Sequence, residues 1–102
     1  MEPDDRQSRQ IRSFLNGVET EVYAAVAQHA PMNSLHEGYA VLLEEVDELW
    51  TQVKLRRSDR DLRNVLTELK QIAAMATRCA VDVVLPELHR EFRNPEEEKE
   101  RR

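Results

Sequence analysis

The sequence predicts an all-α fold, an antiparallel bundle of three main helices followed by a C-terminal tail. Three observations predict it. Apolar residues recur at spacings of three and four over long stretches, the period of a helix face. No stretch shows the apolar–polar alternation of a half-buried strand. Brief breaks separate the periodic segments, and short connections between long helices imply antiparallel neighbours.

The first segment runs from about Asp4 to His29, with Ile11, Phe14, Leu15, Val18, Val22 and Val26 on its apolar stripe. Gly17 weakens its middle slightly, and Ala30-Pro31-Met32-Asn33 breaks the pattern. Ser34 opens the second helix, and Ser34 and Glu37 have capping-box spacing. This helix is expected to reach about Arg57, with an apolar face of Leu35, Tyr39, Leu42, Leu43, Val46, Leu49, Trp50 and Val53. Ser58-Asp59 is an N-cap signal for a third helix from about Arg60 to Leu85. Its stripe is Leu62, Val65, Leu66, Leu69, Ile72, Ala73, Ala76, Ala80 and Val83. Pro86 is expected to stop or kink it. Residues 1–86 thus form the helical domain. Residues 87–102 form a charged tail, which from Asn94 onward is almost all charge and is expected to fray.

A chain of 102 residues is one domain with a marginal core of its own. Three helices leave apolar surface uncovered, so a second copy is expected to complete the bundle. The net charge of -5 argues against non-specific binding to nucleic acid or anionic membranes. No apolar run approaches the roughly 18 residues of a membrane span, and the acidic start Met1-Glu2-Pro3-Asp4-Asp5 does not read as a signal peptide. The single cysteine, Cys79, fits a reducing compartment, and cytoplasmic residence is the expectation. Two glycines leave no glycine-rich phosphate loop, so any nucleotide phosphates must be held another way.

The second helix carries Glu44-Glu45-Val46-Asp47-Glu48. Glu44 and Glu48, and Glu45 and Glu48, are surface neighbours whose repulsion destabilises a helix. A hard divalent cation such as Mg²⁺, with its preference for carboxylate oxygens, would offset that repulsion. A solvated acidic face is the plainer explanation. Glu45 lies nearer the apolar boundary than Glu44 or Glu48, and Val41 on the polar side hints at a second covered surface. Glu68 on the third helix shares a stripe with Ile72, Met75 and Cys79. A carboxylate there is costly if buried without a partner. It either pairs with an arginine, such as Arg78 of a neighbouring copy, or faces Glu45 and Glu48 across the helix pair. Two helices each giving inward carboxylates can build a metal centre in a bundle.

Met32-Asn33-Ser34-Leu35-His36-Glu37-Gly38-Tyr39, followed by Glu44-Glu45-Val46-Asp47-Glu48-Leu49-Trp50, resembles the first conserved helix of MazG-like proteins, whose motif there is E-E-x-x-E. Glu68-Leu69-Lys70-Gln71 resembles the second block, E-x-x-D. The likeness covers about residues 32–84. It implies an all-α fold assembled as homodimers or homotetramers. It also implies a Mg²⁺-dependent pyrophosphohydrolase, with Mn²⁺ as an alternative ion, that cleaves nucleoside triphosphates to monophosphate and pyrophosphate. Carried over, Glu45, Glu48 and Glu68 are metal ligands, with Gln71 at the fourth ligand position. Glu48 and Glu44 are the catalytic candidates, Glu44 as an additional ligand or to place the water. The family's aspartate falls on Gln71, which offers a carbonyl oxygen but no charge. A catalytically weak or inactive nucleotide- or protein-binding module is therefore the competing expectation.

His36, Lys54, Arg57 and Arg60 are candidate substrate contacts, since arginine's planar fork suits phosphate oxygens; Arg56 and Arg63 belong to the same basic cluster. Solubility and complementarity to the helix dipole explain that cluster equally well. Trp50 could stack on a base but is expected in the core, and Cys79 is expected as a packing residue.

Overall fold

The structure, a computed structural model, describes residues 2–91. Helix α1 spans Asp5–Gln28, α2 Leu35–Val53, α3 Leu62–Cys79 and α4 Leu85–Glu91. All regular structure among the described residues is helical.

Each helix start has a local chemical cause. Asp4 and Gln7 close a reciprocal capping box at α1: the Gln7 N–H donates to Asp4 Oδ1 at 2.7 Å and the Asp4 N–H donates to Gln7 Oε1 at 3.0 Å. The Ser34–Glu37 box expected at α2 is only half made. Ser34 Oγ accepts from the Glu37 N–H, but the Glu37 carboxylate reaches one residue further back and accepts from the Asn33 N–H at 2.8 Å.

Three expected boundaries differ, the third being the end of α3 at Cys79 rather than near Leu85. Helix α2 ends at Val53 rather than near Arg57, and Arg60 Nη2 donates to the freed Val53 carbonyl at 2.7 Å. Ser58-Asp59 does not cap α3. It lies in a 3₁₀ turn, Arg57–Asp59, closed by the Asp59 N–H on the Arg56 carbonyl. Asp61 is the N-cap instead, accepting from the Arg63 N–H at 2.9 Å.

Helical backbone continues past Cys79 through a π-helical turn, Ala80–Val84, into α4. A proline ring clashes with the carbonyl four residues back in a regular helix. The wider π turn just before Pro86 removes that conflict. It also places Asp82, which accepts from the Met32 N–H at 3.0 Å and pairs with Arg78 at 3.7 Å. Arg78 in turn donates to the Ala30 carbonyl at 3.0 Å. Together they hold the α1–α2 connection against α3. Of the tail expected over 87–102, residues 87–91 are helical, and residues 92–102, with the charged segment from Asn94, lie outside the described residues.

Helix α3 is central, with α1 and α2 both packed along it. Val18, Met32, Ala74 and Met75 are the buried apolar residues, flanked by Phe14, Val22, Ala25, Val41, Leu42, Ala73, Cys79 and Val83. Gly38 is buried where α2 crosses α3: a Cβ there would overlap Cys79 Sγ and stand 3.6 Å from Met32 Sδ. The molecule is elongated, 61 × 34 × 26 Å. Among the described residues no helix is long and apolar enough to cross a membrane.

Of the expected apolar face of α2, only Leu42 and Leu49 turn inward. Leu35, Tyr39, Leu43, Val46, Trp50 and Val53 are exposed, and Trp50 is 57% exposed rather than in the core. The residues turned inward are Gly38, Val41, Leu42, Glu45 and Leu49. The hint from Val41 of a second covered surface points to this seam.

Candidate metal centre

Glu45 reaches the α2–α3 seam because it continues the inward row of Gly38, Val41 and Leu42 at helical spacing. Glu48, three residues on, stands beside it at the solvent edge. From α3, Glu68 faces both. One carboxylate oxygen from each of Glu45, Glu48 and Glu68 lies within 4.8 Å of the other two.

The electrostatics of this trio are unfavourable as the chain stands. Burial raises the Glu45 carboxyl above its ordinary value of 4.5, and the charges of Glu48 and Glu68 raise it further. Glu68 is also raised, first by burial, then by the hydrogen bond its protonated form makes to Glu48 and by the charge of Glu48. Glu68 Oε2 is shielded from solvent and has no hydrogen-bond partner among the described residues. An orphaned, shielded carboxylate oxygen beside two others is a costly arrangement. A small hard cation fits it, since the donors are all oxygens and the charge is negative.

Gln71 lies one turn beyond Glu68 on α3. Its Nε2 donates to Glu21 Oε2 of α1 at 2.8 Å in a partly buried bond. Glu21, Gln71 and Glu45 share a cavity of about 530 Å³ bounded by α1, the α1–α2 connection, α2 and α3. Ala25, Met32, Val41 and Met75 give it apolar walls, and Gln28, His29, Glu37 and Arg78 add to its polar lining.

The other expected residues fall outside the trio. Glu44 is exposed and acts on Glu45 through its charge alone. His36 is exposed beside Leu35 and Tyr39, roughly 13 Å along the helix from Glu45 at 1.5 Å per residue. Lys54 lies 6.0 Å from the Trp50 ring centroid. Arg57 is in the 3₁₀ turn, and Arg60 caps α2. The arginine suggested as a partner for Glu68, Arg78, is engaged within its own chain by Asp82 and the Ala30 carbonyl.

Sequence reasoning missed Glu21. The signal was present: Phe14, Val18, Glu21 and Ala25 follow one helical row, three of them apolar and turned toward the core. It also missed the Arg78–Asp82 latch, which depends on the π turn. No protein-family model matches the chain, and no curated protein or solved structure matches it.

Proposed function

We propose that the chain is a divalent-metal-dependent nucleoside triphosphate pyrophosphohydrolase of the MazG-like type, acting as a homo-oligomer. The observation that carries the reading is the convergence of Glu45, Glu48 and Glu68 across the α2–α3 seam, with one carboxylate oxygen shielded and unpartnered. The resemblance of the two acidic blocks to that family supplies the substrate class.

In this reading Glu45, Glu48 and Glu68 hold Mg²⁺ or Mn²⁺, and the Gln71 carbonyl oxygen is an additional donor. When bound, the ion clamps phosphate oxygens and makes a coordinated water more acidic. Glu48, the exposed member of the trio, accepts a hydrogen bond from the attacking water and takes its proton. Lys54 and Arg57, beyond the C-terminal end of α2, are the proposed partners for polyphosphate charge, and Arg60 would join them only by giving up its bond to the Val53 carbonyl. The 530 Å³ cavity beside Glu45 accommodates the nucleoside end.

The oligomer is part of the proposal. Among the described residues, the buried hydrophobic side chains of one copy are Val18, Met32, Ala74 and Met75, while eighteen large apolar side chains remain exposed. Apolar exposure of this extent supports an interaction surface. The exposed rows of α2 (Leu35, Tyr39, Leu43, Val46, Trp50) and α3 (Leu62, Leu66, Leu69) form a self-complementary surface in this reading. Reduced or absent catalysis is the competing reading, favoured by the neutral Gln71.

The test is pyrophosphate release from a panel of canonical and modified nucleoside triphosphates, with and without Mg²⁺ or Mn²⁺. Release that needs the ion and falls at least 100-fold in Glu48→Gln, as removal of a general base does, is the expected result. A folded wild-type protein that releases nothing in the presence of metal overturns the enzymatic reading in favour of a binding module.

A further inference from the structure

We propose that Glu21, on α1 and outside both acidic blocks, is a positioning residue of the carboxylate site. It fixes the orientation of the Gln71 carboxamide and adds negative charge beside a neutral donor. The inference rests on the divalent-ion reading above.

The chemistry of the bond settles the orientation. An ionised carboxylate has lone pairs and no proton, so it only accepts; a carboxamide has one donating end and one accepting end. Glu21 Oε2 lies 2.8 Å from Gln71 Nε2. The amide nitrogen is therefore held toward Glu21 of α1, which leaves the carbonyl oxygen as the uncommitted end of a side chain that lines one cavity with Glu45. Without Glu21 the planar group can turn over and present N–H donors, which repel a cation. A glutamine one turn from Glu68 thus becomes a usable oxygen donor because a residue of another helix orients it.

The charge matters as well. Gln71 brings none, and Glu21 places a carboxylate one side chain further out in a partly buried setting. Groups that hydrogen-bond to metal ligands orient them and commonly change affinity about 10–100-fold when removed. A purely structural role for Glu21, as a strut pinning α1 to α3, would change stability and leave ion affinity alone.

The experiment is a titration of Mn²⁺ into the full chain, following free Mn²⁺ by electron paramagnetic resonance, with the metal-free unfolding temperature measured in parallel. Glu21→Gln keeps an acceptor for Gln71 but loses the charge, and should weaken Mn²⁺ roughly ten-fold. Glu21→Ala loses both and should weaken it further. The exchange Glu21→Gln with Gln71→Glu keeps the bond, moves the charge to α3, and should restore affinity to about the wild-type level. Glu21→Gln and Glu21→Ala proteins that bind Mn²⁺ as wild type does, with only the unfolding temperature lowered, overturn the inference while leaving the metal site standing. Wild-type protein that binds no Mn²⁺ overturns both. If Glu21→Ala does not fold, Glu21→Gln and the exchange decide the matter.

Discussion

Helix α2 meets α3 with Gly38, Val41, Leu42, Glu45 and Leu49, and turns Leu35, Tyr39, Leu43, Val46, Trp50 and Val53 to solvent. The inner row contains a glycine and a carboxylate; the outer row is almost wholly apolar. A helix folding only for its own core would bury the outer row, because each large apolar side chain contributes about 1.5–3 kcal/mol when fully buried. The inner row accepts a weaker apolar contact and a raised carboxyl at Glu45. In exchange it brings three carboxylates together. The difference teaches that part of the apolar content of α2 is left uncovered within this chain, the part that the proposed oligomer would cover, while the seam itself combines Val41, Leu42 and Leu49 with a carboxylate.

The largest effect is expected on the outer row. Leu43→Glu combined with Val46→Glu places two charges where a second copy is proposed to pack. Sedimentation should show a shift from oligomer to monomer, with a loss of about 3–6 kcal/mol from two lost burials. A wild-type chain that sediments as a monomer and unfolds at the same temperature as the double variant contradicts the assignment of that face.

A smaller effect is expected on the inner row. Gly38→Ala drives a methyl group into Cys79. Overpacking of this kind costs about 1–3 kcal/mol, against a gain of about 0.5–1 kcal/mol from alanine's helix preference. Denaturant unfolding should show a net loss, and pairing Gly38→Ala with Cys79→Gly should recover part of it. A more stable Gly38→Ala protein would mean that the two helices are less closely apposed than the seam requires.

Much of this was legible from residue order, in physical terms. Helical periodicity identifies the three long helices, and the spacing of Glu45 and Glu48 makes them neighbours on α2; that Glu68 faces them rather than an arginine is decided only by how α2 packs on α3. Which face of α2 meets α3 was not legible, because periodicity locates an apolar face without saying which neighbour covers it. The α3 start was misplaced because Ser58-Asp59 and Asp61 are both competent caps, and the 3₁₀ turn with Arg60 on Val53 decides between them. Glu21 was missed because its importance arises only where α1 crosses α3 beside Gln71. The same holds for Asp82, whose partners Arg78 and Met32 are reached through the π turn.

The central claim, that the α2–α3 seam is a divalent-cation site under electrostatic strain, is tested most directly by unfolding wild type and Glu68→Gln at pH 5 and pH 8, with and without Mg²⁺. The carboxyls of Glu45 and Glu68 are raised in the folded chain. The folded state therefore holds protons more tightly than the unfolded state, and that contribution is lost as pH rises above about 4.5 through the raised values. Without metal, wild type should fall relative to Glu68→Gln between pH 5 and pH 8. Saturating Mg²⁺ at pH 8 should reverse the order, stabilising wild type by about 2.7 kcal/mol at one hundred times its dissociation constant and Glu68→Gln far less. Parallel pH profiles for the two proteins, with neither responding to Mg²⁺, would contradict the claim and leave the three carboxylates as a solvated acidic edge.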